Sequence, residues 1–444
     1  MNNFGIDTIG SPWLALAVLV IVTAAARLRC GSWFAPAAFV GLVWTFFTGA
    51  SLFVVDYAVP GRGLWILVLL IVAIQLGALI AHELQPPSKV PTCTGAFDRF
   101  EFLRNRSLRY GFPCTAVALA GCIYFLVTSL EQFDLPFTPL GVLEVGVNWT
   151  ALRYNDILEP WSVRLLIMWL HPAGLLGGVL FACSRRFRDR ALALVTLLPA
   201  VAYSFLTAAR APTLLGLTCW LGGYLAMSCV GEPGRPALFA RKRVGWFLSV
   251  AAGLLLGFVA VDLLRDTPSA RDFILEVQGS GPHIADYMLG SPAAFADWYA
   301  HGDTNDLSWG AMTFAGEFDL LNLRPRSVGR YSGMSNVIGT LGTNVYTLFR
   351  GLIEDFTLPG ATLACICVGA FAGWVYNKRS THVPRAPLLW LSAFYAVMLF
   401  SPIISLLSFN GALLAWIIGW LALRNRGAEL RQFVPHSPLA GMAL

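Results

Sequence analysis

The chain has 444 residues, of which 57% are hydrophobic and 13% charged, with a mean hydropathy of +0.65 and a formal net charge of +6. Water-soluble domains carry about a quarter charged residues and are not this apolar, so a soluble enzyme is excluded and the composition points to a polytopic α-helical membrane protein. Apolar runs recur at the ~20-residue length that crosses the hydrocarbon core, whereas the ~10-residue alternating segments of a β-barrel are not seen.

In chain order, eleven spans are predicted, at roughly 12–28, 34–55, 63–81, 112–130, 161–183, 191–209, 211–230, 245–263, 357–377, 387–407 and 409–424. The first run, Pro12 to Leu28, lacks a basic segment before it and an A-x-A-like site after it, and reads as a retained helix. The connections alternate in charge. Of the 31 basic residues, 21 fall in one set of connections together with six acids, leaving 10 basic residues and 19 of the 25 acids to the other set. The positive-inside rule places the first set in the cytoplasm. The N-terminus then faces out and the C-terminus in, as an odd span count requires. The nine cysteines follow no disulfide or zinc spacing, and Cys365-x-Cys367 sits in an apolar run.

The whole chain reads as one integral membrane domain, residues 1–444, with two large exoplasmic segments. The first, 131–160, carries five acids and a lone Arg153. The second, 264–356, is too long for an unstructured turn. Its helical spacing predicts short helices on the outer face, with Trp298, Tyr299 and Trp309 at interface depth. No internal repeat of the transporter kind is found.

The residues that could carry chemistry concentrate in this second segment. Arg324, Arg326, Arg330 and Arg350 fall within 27 residues, on a face that is otherwise acidic. Guanidinium forks hold phosphate oxygens in pairs, and a diphosphate on a membrane lipid would sit at this depth. A solvated basic stretch paired with the acidic loops is the plainer alternative. Arg210 follows the sixth span at a hairpin tip and reads either as a snorkelling side chain or as an anion ligand. Glu317, Asp319, Glu354 and Asp355 flank the arginines, and a carboxylate within reach of a hydroxyl can act as general base. Asp355 either caps the ninth span or faces the site. If it only caps, Asn would replace it almost silently. Asn344 and Tyr346 could hydrogen-bond sugar or phosphate. The stretch from His301 to Asp306 lacks the ligand spacing of a calcium loop, so no metal and no cofactor are expected. His283 is a weak candidate base, and His171-Pro172 inside the fifth span reads as a proline kink with a satisfied histidine.

Taken together, the many spans, the Ala209-Arg210 corner, the long late segment and the wording TNVYT-x-F-x(5)-DF-x(3)-G from Thr343 to Gly360 resemble the Wzy-type O-antigen and capsule polymerases of bacteria. In that family the motif commonly reads N-V-Y-T followed by D-F-G-x-x-G. Asn344, Val345, Tyr346, Thr347, Asp355, Phe356 and Gly360 match it, Thr357 stands in place of the first glycine, and Ala209 stands where the family's corner has Ser. The motif covers about 20 residues, and the remainder matches by architecture. The resemblance implies a GT-C-like glycosyltransferase of the bacterial inner membrane, with its active site facing the periplasm. Such an enzyme moves a growing glycan from undecaprenyl diphosphate onto a new lipid-linked repeat unit in lipopolysaccharide biosynthesis. It implies Asp355, Glu317 and Tyr346 as catalytic candidates, and Arg210, Arg324, Arg326, Arg330, Arg350, Asn344 and Arg153 as substrate-binding ones. The implied partners are undecaprenyl-diphosphate-linked glycans, membrane lipid and a chain-length regulator, with no nucleic acid. Two alternatives stand beside it: an O-antigen ligase of the same superfamily, which would need a functional His283 or His301, and a transporter or flippase of lipid-linked glycans.

Overall fold

The structure is a computed structural model that describes residues 11–55, 58–85, 96–154, 157, 159–230, 289–301, 307–323, 331, 335–338, 341–343, 345–378 and 385–424. The predicted span at 245–263 lies outside the described residues. The described chain is helical apart from a short antiparallel hairpin, in which β1 (Ser335–Ile338) pairs with β2 (Leu341–Thr343).

Seven helical segments are long and apolar enough to cross a membrane, and the protein is a multi-pass membrane protein. They are α1 (Pro12–Cys30), α2 (Pro36–Val54), α3 (Gly61–Leu84), α4 (Ala96–Gln132, apolar from Phe100), α6 with α7 (Trp161–Ile167 and Leu170–Cys183), α8 with α9 (Phe187–Val195 and Leu198–Leu206) and α13 (Thr347–Lys378). Further apolar helices are α10 (Ala211–Val230), α14 (Arg385–Phe400) and α15 (Asn410–Leu423), of 20, 16 and 14 residues. Eleven spans are therefore not what these helices alone give. Both segments expected as exoplasmic loops contain packed helix. In the first, α5 (Pro139–Tyr154) buries Val145 and Trp149 against Phe125 and Tyr203. In the second lie α11 (Ser291–His301) and α12 (Ala315–Leu320).

Helix pairs approach through small residues, as lipid-embedded helices do. Gly77 lies against the Ile366 carbonyl, and Gly369 and Gly373 lie against the Ile74 and Ala78 carbonyls. These contacts lock α3 to α13, with both chains running in the same direction. Gly174 and Gly178 do the same for α7 against α10.

Three spans are broken, each next to a proline. Pro172 has no N–H to offer the Met168 carbonyl, so the helix parts at Met168–Trp169, and His171 Nδ1 takes that carbonyl instead at 3.2 Å. Pro199 follows the break at Thr196–Leu197. In α13 the break is Thr357, at φ 60° and ψ 172°, and the helix resumes at Leu358 with Pro359 in its first turn. Helix therefore begins at Thr347, ten residues before the predicted edge of the ninth span.

The basic connections gather at one end. Arg29 at the end of α1 holds Glu83 at the end of α3 through two hydrogen bonds, the longer 2.6 Å. Asn377 at the end of α13 caps the same helix end, donating to the Ala81, His82 and Gln85 carbonyls. At the start of α4, Arg104 pairs with Asp189 of α8 at 2.7 Å. A helix of 37 residues is about 55 Å long, so α4 outreaches a ~30 Å hydrocarbon core and carries this pair beyond it.

Phe187 at this basic end is 71% exposed and Trp309 at the far end is 73% exposed. In a chain otherwise stripped of reactive thiols, Trp309→Cys is expected to react with a membrane-impermeant maleimide on intact cells, and Phe187→Cys only after permeabilisation. The reverse pattern would invert the orientation.

Candidate functional site

The far end of the bundle is where the motif residues fold. The first arm of α13, Thr347 to Phe356, is anchored below by backbone bonds from Thr347 and Leu348 to the Ile403 and Ser401 carbonyls, at 3.3 and 2.8 Å. Its Phe349 ring meets Trp44, midway along α2, at 5.0 Å between centroids. The arm is therefore sunk into the bundle and is not part of a loop lying on it.

Arg350 occupies an aromatic cage. Its guanidinium carbon lies 4.3 Å from the Tyr346 ring centroid, 4.4 Å from Tyr331 and 5.0 Å from Trp298, and Nε donates to Glu354 Oε1 at 2.8 Å. The side chain is only 3% exposed. Tyrosine and tryptophan faces attract a desolvated cation, and the planar guanidinium stacks where an ammonium could not. The cage joins α11, Tyr331 and the motif arm. Burial, with the Glu354 carboxylate adding to it, pushes the Tyr331 phenol well above its ordinary range, so it stays protonated and its hydroxyl donates to the Thr347 carbonyl at 3.4 Å. Arg350 was expected among the substrate-binding arginines. Its geometry instead gives it a structural place, facing rings and a carboxylate inside the protein.

Asp355 is fully buried, and its two oxygens accept three hydrogen bonds: the Ser308 hydroxyl at 2.6 Å, the Met312 N–H at 3.0 Å and the Thr313 N–H at 2.7 Å. It does not cap the ninth span, and three of the roughly four acceptor positions of this fully buried carboxylate are taken. It holds the turns at 309–314 that lead into α12, and the Glu354 carbonyl adds a bond from the Ser308 N–H at 2.9 Å. Beside the two readings of Asp355 offered by the sequence, cap of its own helix or general base, the structure gives it this third role.

The other candidates are spread as follows. Arg210 sits at the corner between α9 and α10, half-buried, with Nε shielded from solvent. The corner needs Ala208 at φ 44° and is tied by Thr213 to Ser204 at 2.8 Å. Glu317 is half-buried on α12 with both carboxylate oxygens shielded from solvent. Asp319 on the same helix lies 3.7 Å from Arg164 of α6. Tyr346 is buried with its ring on Arg350. Arg324, Arg326, Arg330, Asn344 and His283 lie outside the described residues. Arg153 lies on α5, and its side chain is not among those described. His301 is exposed and bonded to Asp297 of its own helix at 3.1 Å.

No sequence signal marks Ser308, Trp298 and Tyr331 as partners of the motif, nor Arg164 and Asn410 as its neighbours. Ser308 and Trp298 sit 47 and 52 positions from the residues they serve, and no local spacing reports such a pairing. Among the described residues no group of three or more His, Cys, Asp or Glu is placed to hold a metal ion. The two cysteines of the Cys365-x-Cys367 pair differ, one buried and one exposed, as neighbours two apart on a helix should. No family model, curated protein or solved structure matches the chain.

Two stability predictions follow from this geometry. Asp355→Asn puts an amide donor against backbone donors and gives up charge-assisted bonds worth about 1.5–3 kcal/mol each. A clear fall in the thermal unfolding midpoint in detergent is expected, where a simple helix cap would have shown none. Arg350→Lys keeps the charge but loses the stacked plane and the bond to Glu354, with a loss of about 2 kcal/mol expected, read by the same melt.

Proposed function

We propose that this chain is a lipid-linked glycan polymerase of the Wzy type, an inner-membrane glycosyltransferase with its chemistry on the periplasmic face and eleven spans in all. The observation that carries the reading is local. The motif resembled here has glycine at two places, and both places have a steric reason for it in this backbone. Residue 357 takes φ 60° and ψ 172°, a region that belongs almost entirely to glycine. Residue 360 is glycine, and a Cβ there would come within 2.8 Å of Phe356 Cβ. The wording D-F-x-x-x-G thus describes a specific bend, which returns the chain from the sunken arm into the ninth span.

In this reading Arg350 and Asp355 build the frame of the site. The lipid diphosphate is met by Arg210 with Arg324, Arg326 and Arg330, and Asn344 and Arg153 are further candidates to bind it. These guanidinium groups stabilise the charge that develops on the leaving diphosphate. Glu317 orients the acceptor sugar. No nucleotide sugar enters, because the energy of transfer resides in the lipid diphosphate.

A second reading is favoured by one observation. Transporters of lipid-linked glycans use interrupted spans, and three spans here are interrupted. The fate of the glycan in cells lacking the protein separates the readings. Loss of a polymerase leaves single repeat units capped on the lipid core. Loss of a ligase leaves lipid-linked polymer with no acceptor, and loss of a flippase traps units on the cytoplasmic side. For the polymerase, Arg210→Ala is expected to cost roughly 2–4 kcal/mol of transition-state stabilisation, about 30- to 1000-fold in rate. Arg210→Lys should recover little of this. Polysaccharide ladder length at normal protein level is the measurement, and a full ladder in Arg210→Ala would remove Arg210 from the site.

A further inference from the structure

With Asp355 occupied in holding backbone, the transfer lacks an assigned group to take the acceptor's proton. A second set of polar groups is buried at the same end, where the α6–α7 break, α12 and the start of α15 meet. His171 is 7% exposed. A backbone carbonyl only accepts, so the bond between Nδ1 and the Met168 carbonyl puts the ring's hydrogen on Nδ1 and leaves the basic lone pair on Nε2. Nε2 is shielded from solvent and has no hydrogen-bond partner among the described residues.

Its surroundings are polar and close. A Cβ at Gly411 would lie 2.2 Å from His171 Nδ1, so the start of α15 rests on the ring. Asn410, next to it, has Oδ1 shielded and also without a partner among the described residues. A Cβ at Gly316 would lie 2.3 Å from Asn410 Oδ1 and 2.6 Å from the Ser408 carbonyl, which brings α12 and its Glu317 against the same helix start. Arg164 of α6 pairs with Asp319 of α12 at 3.7 Å, its Nε shielded and without a hydrogen bond among the described residues. The depth is also right. Gly174 abuts Gly216, which places His171 about one turn inside the Arg210 corner. Phe409 packs in one cluster with Ala211 and Leu214, beside that corner. Buried polar atoms with nothing to bond are costly, and two such atoms flanking the start of α15 point to a bonded guest. Both are acceptors, which suits a hydroxyl-bearing one.

We propose that this seam receives the acceptor sugar and that His171 Nε2 is the general base of the transfer, a reading that rests on the polymerase function proposed above. The acceptor oxygen forms its bond to the anomeric carbon of the growing chain. The bond from that carbon to the diphosphate oxygen breaks, and its electron pair leaves with the diphosphate. The hydroxyl proton passes to Nε2. Asn410 Oδ1 accepts from a neighbouring hydroxyl. The charged groups about the ring are Arg164 on α6 and Glu317 and Asp319 on α12. None is contributed by α10, α15 or residues 112–130 of α4, which contain no Asp, Glu, Lys or Arg.

Two substitutions separate chemistry from structure. His171→Asn keeps an amide N–H where Nδ1–H was, and so keeps the bond to Met168, but has no basic lone pair. His171→Gln places its amide near the Nε2 position and gives up that bond. Polymer formation from native lipid-linked units is measured in isolated membranes containing the full chain, at matched protein level, beside the unfolding midpoint of each variant. Both variants are expected to fall by about 10²–10⁴-fold in rate, with the unfolding midpoint of His171→Asn unchanged. Full activity in His171→Asn, with loss confined to His171→Gln, would reduce His171 to a helix-break tie and overturn the proposal. Loss in His171→Asn that tracks a lowered unfolding midpoint would overturn it as well. Cells that polymerise normally without the protein would overturn the polymerase reading itself, and this assignment with it.

Discussion

A single buried carboxylate holds the far end of this protein in shape. Asp355 lies at the top of an apolar bundle and takes one hydroxyl and two backbone N–H groups from a stretch of chain more than forty residues earlier. Turned inward onto a buried carboxylate, those N–H groups have no water to turn to, so the irregular turn at 309–314 depends on acceptors that the protein supplies. Asp355 supplies them from one side, and Ser405 takes part from the other by donating to the Thr313 carbonyl at 3.0 Å. Because the turn is fixed, α12 is fixed, and with it the placement of Glu317 and of Asp319 against Arg164. The same arm carries Arg350 into its cage one turn earlier. Two charges that sequence reasoning would spend on substrate are spent on architecture.

The interrupted spans serve the same end. A proline removes one N–H from a helix, and in lipid the orphaned carbonyl must be satisfied nearby. At Met168 the substitute is the histidine immediately before the proline. That arrangement uses one ring nitrogen structurally and thereby fixes the state of the other. The break is therefore a device for presenting a defined imidazole tautomer inside the bundle, at the depth of the Arg210 corner.

Much of the fold was legible in the sequence, because its main signals are long-range in composition and local in pattern. Apolar runs of membrane length gave the helices, and the charge alternation gave the grouping of the basic ends that Arg29–Glu83 and Arg104–Asp189 display. Helix edges were less legible. The ninth span looked as though it started at 357 because Arg350, Glu354 and Asp355 make the preceding turns polar, and polarity was read as exposure. Their partners lie at Trp298, Ser308 and Tyr331, too distant in sequence for any periodicity to announce. The helix inside 131–160 was hidden for the related reason that the segment's acids sit around a helix whose buried face is short, Val145 and Trp149. For His171, the sequence suggested a kinked and satisfied histidine. The kink is there, but only the nitrogen facing the freed carbonyl is satisfied.

Thr357 is the place where sequence and backbone disagree most. A β-branched residue at φ 60° and ψ 172° costs on the order of 1–3 kcal/mol relative to glycine. Such a residue persists only where its surroundings leave it no other conformation. Here the surroundings do so from both sides. Before the bend, Asp355 and Arg350 are immobilised by three hydrogen bonds and three rings. After it, Pro359 sets the first turn of the resumed helix, and Gly369 and Gly373 key that helix onto α3 at backbone contact. Neither arm can rotate to relieve residue 357 without unpacking a helix pair or emptying the cage. The strain is therefore a measure of how firmly both arms are held, and it falls at the joint between the sunken arm and the rest of the ninth span.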